Sequence, residues 1–170
     1  MGARVAELLA ERSGERLRAE KGTRSLLAQL RWPSGLTVVA FPQTYMNDSG
    51  LAVVALVRRY GIDDLRRLVV VHDELDLPTG RIKVKLGGGT AGNNGLKSIH
   101  AHLHDDGYAR IRIGIGKPPG RQSGADYVLR RPGKAELEIL DVAVAVAADA
   151  VETLAAEGLD AAMNRFNVAP

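Results

Sequence analysis

The chain contains no cysteine. Disulfide frameworks and thiolate chemistry are therefore excluded, which suits a reducing cytoplasm. Long hydrophobic runs are also missing. The longest, "VAVAVAA" at 142–148, falls far short of the roughly 20 apolar residues that a membrane span needs. The opening "MGARVAELLAERSGER" has acids among its apolar residues, so it does not read as a secretory segment. There is no internal repeat, and the formal charge is only +3.

What is present is the balance of a globular protein. Of 170 residues, 45% are apolar and 25% charged, enough for one domain with a real core. Charge is unevenly spread. Lys83, Lys85, Lys97, Arg110, Arg112, Lys117, Arg121, Arg130 and Arg131 all fall between 81 and 131, while the last third carries most of the compensating acids. A local basic face suits a polyanionic partner. On charge alone, an ordinary solvated surface explains it as well.

Periodicity predicts a helix over 2–12 and a hairpin-like pair of strands in "TRSLLAQLRW" and "LTVVAF" about the turn Pro33-Ser34-Gly35. Asn47-Asp48-Ser49 offers caps for a helix to about Tyr60, ended by Gly61. "RLVVVHD" reads as a central buried strand. "RIKVKL" alternates, with its lysines on one face and Ile82, Val84 and Leu86 on the other. A helix over Leu96 to Leu103, the strand "ARIRIGIG" and a long helix over 134–157 complete the pattern. Strands alternating with helices predict a single α/β domain, 1–170, with a twisted mixed sheet flanked by helices. "GKPPGRQSGAD" is expected to be a loop inside that domain.

The stretch "KLGGGTAGNNGLKSIH", 85–100, satisfies the dinucleotide pattern G-x-G-x-x-G at Gly87, Gly89 and Gly92. Its context excludes that use, because the next strand ends in glycine and lysine rather than in an acid for a ribose. It is not a P-loop either, since Leu96 separates Gly95 from Lys97. What remains is Asn93-Asn94 at the start of a helix. One reading makes Asn94 the helix cap and puts Asn93 in a left-handed turn. The other has glycines admitting a substrate to the backbone while two carboxamides bind it. Asn47 and Asp73 occupy other strand-to-loop junctions, where ligand sites of open α/β sheets gather. Their coincidence favours the functional reading. His72 is adjacent to Asp73 on a strand and points to the opposite face. Of His100, His102 and His104, only His100 and His104 share a helix face, without a third ligand. No G-x-S-x-G marks a nucleophilic serine.

Taken in order, "FPQTYMNDSG", "VVHDELDLPTGRIKVKLGGGTAGNNGLKSI", "RIRIGIGKPPG", "DYVL" and "AMNRFN" resemble the bacterial-type peptidyl-tRNA hydrolase family over nearly the whole chain. The resemblance implies a cytoplasmic, monomeric, cofactor-free enzyme with no metal and no membrane partner. Such an enzyme cleaves the ester joining a peptide to the 3′ end of tRNA. It further implies that Asp73 orients and polarises a catalytic histidine, and that Asn47 and Asn94 hold the peptide and position the attacking water. By the same resemblance Tyr45 and Met46 wall the peptide groove, and Lys83, Lys85 and Arg112 lie near tRNA phosphates.

Two departures stand out. Asn93 occupies a position where the family carries histidine, so it keeps hydrogen bonding but gives up titration near neutral pH. Family members also open with a strand and a T-R-H-N-x-G stretch bearing the catalytic histidine, and Met1-Gly2 align with its last two positions. The alternative to an enzyme is thus a catalytically inactive homologue that binds tRNA or peptide. A general base contributes about 10²–10⁴-fold, so the 170 residues as written are expected to hydrolyse peptidyl-tRNA near background. Single-turnover cleavage of N-acetylaminoacyl-tRNA measures this, and family-like rates would assign the base to another residue.

Overall fold

The computed structural model describes the whole chain except Pro119, Arg121, Gln122, Ala169 and Pro170, with Ala125 described by its backbone alone. Arg121 and part of the stretch 116–126, expected to be a loop, therefore lie outside the described residues; its last three residues, from Gly124, open a helix instead. The chain forms two compact units, one of Ala6–Val69 with Leu86–Ala109, the other of Met1–Val5, Val70–Lys85 and Arg110–Pro170.

The first of these units holds an antiparallel sheet of β1 (Arg18–Glu20), β2 (Ser25–Trp32) and β3 (Gly35–Pro42), in that order. Trp32 pairs with Gly35 across the expected turn, which leaves Pro33-Ser34 as a two-residue hairpin loop. Burial alternates in the second half of β2, where Ala28 and Leu30 are buried and Gln29 and Arg31 exposed. Two helices, α2 (Ser49–Arg59) and α3 (Asn94–Leu103), pack on each other in the same unit. Helix α1 (Gly2–Arg12) buries the stripe Val5, Ala6, Leu9 and Ala10, the spacing of an amphipathic helix.

The second unit is built on β4 (Val69–Glu74), β5 (Ile82–Leu86) and β6 (Ala109–Gly114), ordered β4-β6-β5. Ala109 N–H donates to Leu68 and Ile115 N–H to Glu74. That constant offset makes β4 and β6 parallel, whereas Gly114 N–H bonding Arg81 and Gly80 N–H bonding Gly114 run β5 antiparallel to β6. The sheet is therefore mixed, and the strands of the described residues divide between two sheets. Helices α4 (Gly124–Leu129), α5 (Lys134–Glu157) and α6 (Leu159–Phe166) follow. Helix α5 buries Leu140, Ala143, Val144, Ala147, Ala148 and Val151.

Two strand expectations need correction. Among the described residues β6, not β4, is the central strand, and β4 is only part-buried from Val69 to Asp73. An apolar run reads the same at a covered edge as in the middle, since hydrogen-bond partners decide the order. On β5 the alternation holds at Ile82, Lys83, Val84 and Lys85, but Leu86 is 39% exposed at the strand end.

The outer edge of β5 is closed by one side chain. Asn167 accepts from Val84 N–H at 2.7 Å and donates to Val84 C=O at 2.8 Å. A carboxamide has the donor and acceptor that one strand residue leaves unpaired at an edge. Arg81 adds a bond to the Asn167 carbonyl at 3.2 Å. Asn167→Ala should cost about 1–3 kcal/mol by leaving these part-buried groups unpaired. Urea unfolding measures it, and an unchanged midpoint would show that water replaces the carboxamide.

Candidate functional site

In the unit containing α2 and α3, the glycine-rich loop turns the chain into α3. Gly87, Gly88 and Gly92 take positive φ, as does Ala91 at 47°. Asn93 is extended, and its Oδ1 accepts from Leu96 N–H at 3.0 Å. Asn93 is thus the cap and Asn94 the first helical residue, the reverse of the cap reading drawn from sequence. The left-handed position falls on Ala91 and Gly92 instead. Asn94 is exposed with its carboxamide free of the cap, while Asn93 is part-buried.

The segment before α2 lies against this helix start. Tyr45 is extended and 84% exposed, and Met46–Asp48 forms a 3-10 turn. Asp48 is the residue before α2 but makes no side-chain cap bond; Ser49 Oγ instead donates to Met46 C=O at 2.8 Å. The reason for the close approach is Gly50. A Cβ there would overlap the Ser98 carbonyl, and Gly50 N–H donates to Ser98 Oγ at 2.9 Å. At Gly95 a Cβ would meet Ser49 Oγ at 3.5 Å and Met46 Cε at 3.7 Å. This unit by itself therefore brings Tyr45, Met46 and Asn47 to the helix start that carries Asn93 and Asn94.

Asp73, Lys83, Lys85 and Arg112 belong to the other unit. Asp73 Oδ1 lies 3.0 Å from the Met1 ammonium, both little exposed, in an ionic contact outside hydrogen-bond alignment. His72 and Glu74 occupy the opposite face of β4. Glu74 accepts from Arg112 Nε at 2.8 Å and Nη2 at 2.6 Å. Arg112 is therefore engaged by an acid, and only 18% of its side chain is exposed. Lys83 and Lys85 are more open, exposed on β5. Glu74 went unnoticed in the sequence. Its signal was parity: residue 74 shares the face of 72, and "RIR" on the neighbouring strand supplies an arginine.

Burial works to raise the Glu74 pKa, but Arg112's hydrogen bonds and charge, aided by the Asp76 amide, outweigh it and hold the carboxyl below its ordinary range. His72 Nδ1–H donates to the Asp73 carbonyl at 2.8 Å. Its Nε2 is buried with no partner among the described residues. Burial, the largest influence, pushes this imidazole below its ordinary value, and Arg110 and Arg112 add to it against the Asp73 carbonyl and Glu74. On α3, His102 bonds the Ser98 carbonyl at 2.8 Å, and His104 leaves the helix with φ 55°. Among the described residues no group of three His, Asp or Glu is placed to hold a metal. No helix among them is long and apolar enough to cross a membrane.

Because the folded state keeps His72 neutral, its contribution to stability is full above the unfolded pKa of about 6.5. It is lost as pH falls toward the lower folded value. Glu74, also depressed, loses its contribution only below about 4.3. Urea midpoints between about pH 7.5 and 5 should therefore decline, and His72→Asn should flatten that decline. An equal slope in the variant would show that His72 takes no part.

A family model described as "Peptidyl-tRNA hydrolase" matches residues 1–170. A peptidyl-tRNA hydrolase of Cutibacterium acnes is 46% identical over 177 residues, covering 98% of this chain and 88% of that protein. One of Nocardia farcinica is 46% identical over 167 residues, covering 98% and 86%. Among solved structures, a peptidyl-tRNA hydrolase from Acinetobacter baumannii superposes with a TM-score of 0.87 at 32% identity, covering 96% of this chain and 83% of that one.

Proposed function

The chain belongs to the peptidyl-tRNA hydrolase family, and from that premise we propose how its residues serve cleavage of the peptide–tRNA ester. The observation that carries the reading is the gathering of Tyr45, Met46 and Asn47 onto the helix start bearing Asn93 and Asn94. An ester is already an activated acyl group. A base for water and donors for the developing oxyanion suffice, and no metal is required.

In this proposal Asp73 orients and polarises the histidine base that the family supplies. A carboxylate holding an imidazole in one tautomer also stabilises the imidazolium formed as water attacks. Asn94, free of the cap, positions the water and the peptide with Asn47. Asn93, whose oxygen is taken by Leu96 N–H, offers substrate its amide hydrogens. Exposed Tyr45 and Met46 wall the peptide, and Lys83 and Lys85 face tRNA phosphates, each adding salt-sensitive affinity. The protein acts in the cytoplasm as a monomer, with residues 1–170 working as one domain.

Turnover of N-acetylaminoacyl-tRNA by the chain preceded by the family's Thr-Arg-His-Asn stretch tests the assignment, because the 170 residues as written are expected to act near background. Asp73→Asn keeps shape but removes the charge, so it should lower turnover by orders of magnitude, roughly 10⁴ in the comparable triad case, and change tRNA binding little. Asn94→Ala should impair turnover and leave stability intact, whereas Asn93→Ala should cost about 1 kcal/mol through the lost cap. A folded protein that binds tRNA but cleaves no ester, both as the 170-residue chain and when preceded by the family's Thr-Arg-His-Asn stretch, would overturn the hydrolase reading in favour of a binding module.

A further inference from the structure

The turn between β1 and β2, residues 21–24, is held more firmly than a plain connection requires. Thr23 is fully buried. Its Oγ1 donates to the Glu20 carbonyl at 2.8 Å, and Ser25 Oγ donates to the Thr23 carbonyl at 3.1 Å. These bonds anchor the turn from below and leave Lys21 and Arg24 exposed. Gly22 and Arg24 both take left-handed backbone, with φ of 88° and 53°. Glycine adopts that conformation freely, whereas arginine sets its Cβ against the following carbonyl. A strained residue persists where its side chain or surroundings demand it, and here glycine would serve the turn better.

The end of α2 meets this turn. Arg59 donates to the Glu20 carboxylate at 2.9 Å and to the Lys21 carbonyl at 3.4 Å. Tyr60 OH donates to the second Glu20 oxygen at 3.0 Å. Glu20 is thus engaged by α2, while Lys21, Arg24 and Arg58 form no ion pair among the described residues and are exposed. The turn also lies close to the candidate site in the chain. The Arg24 carbonyl accepts from Gln43 N–H at 2.8 Å, and Gln43 stands two residues before Tyr45, at most roughly 7 Å of extended chain.

We propose that Lys21, Arg24 and Arg58 form a phosphate-backbone contact for the RNA part of the substrate, separate from Lys83 and Lys85. This rests on the hydrolase reading, since a tRNA continues past its ester as a chain of phosphates. Guanidinium and ammonium groups held at fixed positions bind such phosphates and release their counterions. An anionic membrane surface is the weaker match. The turn places buried Thr23 between its cations, with no exposed apolar side chain to enter a lipid interface.

Arg24→Gly is the sharp test, because relief of strain and loss of a phosphate contact act in opposite directions. The variant should unfold at the same or a higher temperature than the unaltered protein, yet bind deacylated tRNA more weakly. Its slope of log affinity against log salt should fall by about 0.7–0.9, the loss of one contact. Combining it with Lys21→Ala and Arg58→Ala should lower the slope by about 2.1–2.7, the loss of all three contacts. Arg66→Ala removes a cation already bonded by Asp64 at 3.2 Å and should change neither. Unchanged affinity and slope in the Arg24→Gly and triple variants, with tRNA still bound, would overturn this contact and leave the hydrolase reading standing. Loss of binding to phosphatidylserine vesicles with tRNA binding intact would also overturn it, assigning the patch to a membrane. Failure of the unaltered protein to bind tRNA would remove the premise and the proposal together.

Discussion

The arrangement of the candidate peptide site depends on how closely α2 approaches α3, and that approach depends on Gly50. Glycine inside a helix costs about 1 kcal/mol relative to alanine, yet at position 50 any Cβ would overlap the Ser98 carbonyl. Gly50 lies in the first turn of α2, where backbone N–H groups have no intrahelical acceptor. Its N–H finds Ser98 Oγ across the crossing, and the Ser98 carbonyl in turn accepts from His102. One close contact thus satisfies an orphan donor and fixes the distance between helices. With that distance set, Met46 and Ser49 rest over Gly95, the residue after Asn94. Added volume at residue 50 would be felt at the site through this lever.

Charge in the unit containing β4 is allocated by strand parity. Alternation sends Asp73 to one face of β4 and His72 with Glu74 to the other. On β6 the matching parity supplies Arg110 and Arg112, and Glu74 takes Arg112 in a two-nitrogen bond. The pair leaves the guanidinium part-buried. The same arrangement surrounds His72 with cations and burial, both of which disfavour its charged form. It is therefore a packed residue that favours its neutral form and whose Nδ1–H satisfies a strand carbonyl.

By itself the sequence determined those features that depend on neighbours along the chain. Helices over Gly2–Arg12 and Lys134–Glu157, the hairpin closed at Trp32 and Gly35, and the alternation of Ile82 to Lys85 all follow from local periodicity and turn chemistry. The α/β class and the family were legible for the same reason, since the "HDELDLP" and "GGG…NGLKS" motifs are contiguous. Tertiary structure alone decided what depends on residues far apart. It set β6 rather than β4 in the middle of its sheet, joined Glu74 to Arg112, and matched Asn167 to the edge of β5. It also decided which of two adjacent asparagines caps α3, because the left-handed step falls at Ala91 and Gly92. Side-chain type records what each group can bond. Which partner it meets is set only when distant segments are brought within hydrogen-bond reach.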